Sequence, residues 1–244
     1  MTLLNAVLEL ADDHLVLGHR LSEWCGHAPM LEEDLAMPNM ALDLIGTART
    51  LYDYAATLEG LGRSEDAMAY LRDEREYRNL LLVERPNGDF AQTMLRQLFF
   101  AAFMEPYWRA AMASSDAVIA GVAGKAVKEM AYHIRHAGEW VIRLGDGTEE
   151  SARRMREAVE ELSIYVAELF ENGANAGLDA LPDRASVRAE WEATIAHVFA
   201  EAQLVLPEVL YPQTGGRAGL HGEDLGHMLA EMQSLHRSMP GVTW

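Results

Sequence analysis

Along most of the chain apolar residues recur at three- and four-residue intervals, the spacing that lines one face of an α-helix. Nowhere do apolar and polar residues alternate over the length of a strand. The periodic stretches are rich in Ala, Leu, Met, Glu and Arg, which favour helix, and poor in β-branched runs. They predict eight helices, at about 2–25, 38–59, 65–83, 90–113, 115–144, 149–171, 186–205 and 223–238, with ends uncertain by about two to four residues.

Some boundaries carry their own chemistry. Asn87-Gly88 turns the chain, Asp89 stands as a helix cap, and Gln92 occupies the capping-box position. Gly145 in Leu144-Gly145-Asp146-Gly147-Thr148 ends one helix; Thr148 caps the next, with Glu149 and Glu150 in a first turn that favours negative charge. A tight hairpin of two helices follows. Segments 173–185 and 206–222, the second holding Pro207, Pro212 and Gly215-Gly216, are expected to be surface connections.

No repeat of about 20–50 residues and no low-complexity tract breaks this pattern, which argues against a solenoid or a disordered arm. Long helices joined by short turns predict an all-α bundle, with long antiparallel core helices and additional peripheral ones, in one domain over 1–244. Phe99, Phe100, Phe103, Met104, Tyr107 and Trp108 mark a helix apolar on several sides, expected in the core. In the next helix Ile119, Ala123, Met130, Ile134, Ala137, Val141 and Leu144 form the main stripe. Glu129, His133, His136 and Trp140 sit roughly 60–120° to one side of it, a half-buried flank.

Charge narrows the function classes. With 20 Lys and Arg against 38 Asp and Glu, the formal charge of −18 repels nucleic acid and acidic lipid. The first residues lack the basic start and apolar run of an export signal, and stretches such as Gln97 to Met104 fall short of the roughly 20 residues that span a bilayer. A cytoplasmic protein with no nucleic-acid or membrane partner is expected. Cys25 is the single cysteine, so neither an internal disulfide nor a thiolate metal site can form within one chain. Helix-end packing is its expected role.

Long antiparallel helices raise the question of a di-iron site, which takes a Glu from each of two helices and Glu-x-x-His from each of two others. That spacing places a bridging carboxylate and an imidazole on one helix face. Here no Glu is followed by His three residues on: Glu23 meets Gly26, Glu105 meets Trp108, and Glu129 meets Tyr132. Asp224-Leu-Gly-His227 is the lone carboxylate version, and Asp224 reads as an ordinary helix-start acid.

Asp43 stands where a ligand might, but Gly46 follows at the imidazole position; Glu129 and His133 are four apart, a spacing that serves a hydrogen bond or ion pair. Asp43, Glu129 and His133 are therefore candidate pseudo-ligand or polar-network positions, and a hydrogen-bonded flank touching another helix or subunit is favoured over a relic metal site. For His14, His19, Asp12 and Asp13 the expected role is a polar helix face.

There is no GxGxxG, phosphate loop, G-x-S-x-G elbow or HExxH. Tyr211-Pro-Gln-Thr-Gly-Gly-Arg217 reads as a plain Pro/Gly turn, favoured over the alternative of an anion-binding loop with Arg217. The run Arg72-Asp-Glu-Arg-Glu-Tyr-Arg78 alternates charge along a predicted helix, as either solvated i,i+4 pairs or an inter-subunit salt-bridge surface.

Several blocks resemble the PaaC family of structural subunits of bacterial phenylacetyl-CoA epoxidases. They are Arg20-Leu-Ser-Glu-Trp-Cys-Gly-His-Ala-Pro29, the stretch from Arg72 to Ala91, Lys125 to His133, Arg143-Leu-Gly-Asp-Gly-Thr148, and Thr214 to Gln233. The resemblance implies a ferritin-like subunit with no metal and no catalytic residue of its own. Its implied partners are a homologous catalytic subunit holding a di-iron centre and a reductase with FAD and an iron–sulfur cluster. The complex would use NADPH and O₂ to epoxidise the ring of phenylacetyl-CoA. A hetero-oligomer is expected, and a homodimer when isolated. The alternatives are an autonomous ferritin-like di-metal oxidase or iron-binding protein, and a stand-alone helical module for an acyl-CoA or a protein.

Overall fold

The computed structural model describes residues 2–240 and 242. Among these residues the regular structure is helical throughout, with nine α-helices and no strand. They are α1 (Leu3–Ser22), α2 (Leu31–Glu59), α3 (Glu65–Tyr70), α4 (Leu81–Glu84), α5 (Phe90–Ala111), α6 (Ala117–Gly145), α7 (Glu149–Ser163), α8 (Arg188–Glu201) and α9 (Glu223–Ser238).

The long helices begin where side chains satisfy their free N–H groups. Asp89 and Gln92 close the expected capping box on α5, each accepting the other's backbone N–H at 3.1 Å. Asp116 accepts from Val118 and Ile119 at 3.0 Å on α6, and Thr148 accepts from Ser151 at 3.1 Å on α7. Helix α1 lies antiparallel on α2, and α5 on α6. Contact between α2 and α6 joins the two pairs, with α7 and α8 flanking α5 and α6, and α9 on α3. Their buried apolar residues form one contiguous core that includes Phe99, Phe100, Phe103, Met104, Tyr107 and Trp108, as expected.

Helix α2 starts at Leu31 rather than at Pro38, so the proline lies inside it. Proline removes its own N–H from the ladder and crowds the carbonyl four residues back, while burial of Met37 before it and of Met40 and Ala41 after it anchors the turns on either side. The predicted helix over 65–83 is broken: α3 ends at Tyr70, and α4 starts at Leu81 after a 3₁₀ turn over Glu74–Glu76. The backbone N–H groups of Arg78 and Leu80 donate instead to Asp12 and Asp13 on α1, each at 2.8 Å. Two buried carboxylates on a neighbouring helix override local propensity here.

The run from Arg72 to Arg78 is thus not a helical salt-bridge face, since Arg72 is buried inside the fold. Past α7, a 3₁₀ turn over Val166–Phe170 replaces the predicted end of that helix. It carries the buried Glu168, which accepts from the N–H groups of Leu81, Gly215 and Gly216 at 2.7–2.9 Å. Cys25 is exposed in the turn after α1, so it packs against no helix end.

Candidate functional site

Two polar groups occupy the bundle. The first radiates from α1, where Glu9, Asp12 and Asp13 are set among Leu10, Ala11, Leu15, Val16 and Leu17 and are all buried. Glu9 pairs with Arg184 at 2.8 Å and accepts from the N–H of Ala174 at 2.9 Å. The chain can approach this closely because Gly173 adopts φ +51°, and a Cβ there would lie 2.8 Å from the Glu9 carboxylate.

Asp12 receives Arg72 Nη1 at 3.1 Å and the Tyr52 hydroxyl at 2.6 Å. Asp13 holds Arg217 through both Nη atoms, at 3.0 and 2.8 Å. Burial alone would lower the pKa of Arg217 and Arg72, yet the facing carboxylates hold both cations above their ordinary value. Asp12, Asp13 and Arg217 are therefore internal ion pairs, neither a polar helix face nor a bare Pro/Gly turn. His221 Nδ1 donates to Glu84 at 2.7 Å and Nε2 to the Tyr77 carbonyl at 3.0 Å. Two acceptors require both ring nitrogens to carry protons, so this histidine is cationic; burial opposes the charge, but Glu84 outweighs it and raises the pKa.

The second group lies where α1, α2, α5 and α6 meet, and it brings the three candidate residues together. Gln97 Nε2 on α5 donates to His133 Nδ1 at 3.0 Å, which leaves the His133 proton on Nε2, 3.3 Å from Asp43 Oδ2 on α2. Glu129 lies one turn before His133, 3.0 Å from Lys125 Nζ and 3.5 Å from the Thr47 hydroxyl. His136 stands 2.9 Å from Glu33, a second tie between α6 and α2.

Nearby, His14 is fully buried against Phe100 and Trp108, with ring centroids 5.3 and 5.7 Å away. Its Nδ1 donates to the Leu10 carbonyl at 2.8 Å. His14 Nε2, Gln97 Oε1 and Trp108 Nε1 have no hydrogen-bond partner among the described residues. Burial, then the nearby His133 and Arg217, drive the His14 pKa down to about 4, so the ring is neutral. His14 is thus interior rather than part of a polar face, and His19 is largely buried too, with a pKa lowered by burial.

This donor set does not fit a di-iron centre. A ligand needs a free lone pair, but both His133 nitrogens are engaged, Asp43 faces one of them, and the Lys125 ammonium sits on Glu129. Gln97 and Thr47 add only neutral groups. Among the described residues no set of three or more His, Cys, Asp or Glu side chains is placed to hold a metal ion. Asp224 instead pairs with Arg85 at 3.1 Å, while His227 is exposed.

The comparisons with known proteins point one way. The family described as "Phenylacetic acid catabolic protein" matches residues 1–244, the whole chain. The chain belongs to that family. It is 46% identical over 241 residues, 97% of each chain, to the C component of the 1,2-phenylacetyl-CoA epoxidase of Escherichia coli (strain K12). Within this phenylacetic acid catabolic family fold, the α1 ion pairs are what the sequence did not announce. Residues 9, 12 and 13 share one helix face, a spacing that equally fits a solvated polar face, so the sequence carried no clear signal of their burial. Their partners, at 72, 184 and 217, are too far along the chain to be paired by spacing.

Proposed function

We propose that this chain is the C component of a phenylacetyl-CoA epoxidase and acts as its structural half. The identity to the Escherichia coli C component over nearly the full length of both chains carries the reading. The donor set around His133, with its nitrogens engaged and Lys125 neutralising Glu129, supports it from the chemistry side.

On this reading the partner is a homologous catalytic subunit with the di-iron centre, and a reductase holding FAD and an iron–sulfur cluster brings electrons from NADPH. The oxygen of O₂ enters the aromatic ring of phenylacetyl-CoA on the partner. This chain contributes a rigid body: three buried acids, each paired with an arginine, pin distant segments to α1. Docking is assigned to the outer face of α2, where Leu31, Leu35 and Leu42 are 70%, 62% and 65% exposed on one helical stripe. The proposed setting is the cytoplasm, and among the described residues no helix is long and apolar enough to cross a membrane.

Co-expressing the catalytic subunit with and without this chain tests the proposal, read by phenylacetyl-CoA-dependent NADPH oxidation and by light scattering. The partner alone should lose activity or assembly, and Leu35→Glu should weaken the complex. Full activity and unchanged assembly without this chain would sink the reading, as would two equivalents of tightly bound iron in the isolated chain.

A further inference from the structure

Three arginines gather where the loop before α5 meets α1: Arg20, Arg85 and Arg96. Two have carboxylates, Arg20 with Glu23 at 2.8 Å and Arg85 with Asp224 at 3.1 Å. Among the described residues Arg96 has none. Its guanidinium donates to the carbonyls of Arg85 and Pro86 and, at 2.5 Å, to Asn87 Oδ1, while its Nε finds no acceptor there. The residue is 1% exposed. Burial first, then the charge of Arg20, pulls its pKa down to about 9. It remains protonated at neutral pH, a buried cation with no carboxylate in direct contact among the described residues; Glu23, itself paired with Arg20, reaches it only at longer range, and such a cation is costly unless something supplies a closer counter-charge.

Arg96 and Arg85 line a cavity of about 350 Å³ between the start of α5 and the end of α7. Leu162, Ile164 and Tyr165 line it as well, so cationic and apolar groups face one space. Glu161 also lines the cavity, but it is exposed and receives the Gln92 side-chain amide.

We propose that this cavity binds a carboxylate carried on a small apolar body, with the acid against Arg96 and Arg85 and the body against Leu162, Ile164 and Tyr165. The ligand is either a free organic acid or an acidic side chain of a partner subunit; the chemistry is the same. The inference stands independently of the epoxidase reading.

Calorimetric titration of the isolated chain with benzoate at fixed ionic strength tests it, with benzamide as the neutral match. Benzoate should bind saturably, and benzamide at least about tenfold more weakly, as loss of a charge-assisted contact predicts. Arg85→Gln should weaken benzoate by a similar factor. Leu162→Trp, which fills the cavity and leaves Arg96 in place, should abolish binding while the thermal melt stays cooperative; exposed Arg153→Gln should change nothing. Repeating the titration on the complex separates the sources. Binding that persists there marks a free acid, whereas binding lost on assembly, with weaker assembly of Leu162→Trp, marks a partner carboxylate. No saturable benzoate binding, equal affinity for benzamide, or binding that survives Leu162→Trp would overturn the proposal.

Discussion

The acids of α1 and the cluster around His133 are both polar groups inside one helical bundle, yet they are built to different standards. Around α1 every carboxylate meets an arginine and at least one further donor, with most contacts at 2.6–3.1 Å and full burial. Around His133 the contacts are longer, 3.3 Å to Asp43 and 3.5 Å between Thr47 and Glu129, and the Asp43 side chain is 36% exposed. Closely paired buried charges define a packing, even though Glu9 Oε2, Arg184 Nε and Arg217 Nε make no hydrogen bond among the described residues, whereas a loose, half-open network tolerates change. The lesson is that the candidate positions Asp43, Glu129 and His133 sit in the slacker network, and the closest charge pairing lies on α1.

The sharpest way to break that contrast is Asp12→Ala, which strands Arg72 in the interior and frees the Tyr52 hydroxyl and the Arg78 N–H. Removing one partner of a buried pair costs about 3–5 kcal/mol, a large share of a typical domain's stability. Urea denaturation should show the loss, and Asp12→Leu combined with Arg72→Met should recover much of it. A cost below about 1 kcal/mol would mean the α1 pairs are not structural.

Acid should expose His14 next. Its pKa is about 4 in the fold against 6.5 for the free side chain, so as pH falls from 6.5 toward 4 the unfolded chain takes a proton that the native ring refuses. The His14 contribution to the stability lost across that window is about 3 kcal/mol, read as the difference between the wild-type and His14→Leu profiles; Asp13, whose pKa burial raises to about 6, works in the opposite sense over the same window. His221 has the opposite sign: its raised pKa means a contribution present below 6.5 and lost as pH climbs through the raised value. A His14→Leu profile as steep as wild type between pH 6.5 and 4 would refute the buried neutral ring.

The smallest effect belongs to Asp43→Ala. Its contact to His133 is long and partly solvated, so the loss should stay within about 1 kcal/mol by the same denaturation measurement. A penalty rivalling that of Asp12→Ala would place both clusters on the same footing and erase the comparison.

Periodicity, caps and spacing were enough for much of this protein. Helical stripes predicted the all-α bundle; Asp89 with Gln92 and Thr148 with Glu149 marked helix starts that the fold uses; and the lack of any Glu-x-x-His was countable. These features depend on neighbours within a turn or two, which a sequence displays directly. Glu129 and His133 were legible as one flank of a long helix and Asp43 as a lone acid on another, but that Asp43 faces His133 was not.

What lies between distant segments was decided only in three dimensions. Asp12 meets Arg72 across 60 residues of chain and Asp13 meets Arg217 across 204, and no periodicity encodes either pairing. Once α1 buried its acids, the chain had to bring them donors, so the predicted helix over 65–83 broke to deliver the N–H groups of Arg78 and Leu80. Local propensity for a helix there is worth a few tenths of a kcal/mol per residue, while an unpaired buried carboxylate costs several. The cost of stranding a buried charge outweighs the helix preference, and that cost exists only after the helices have packed.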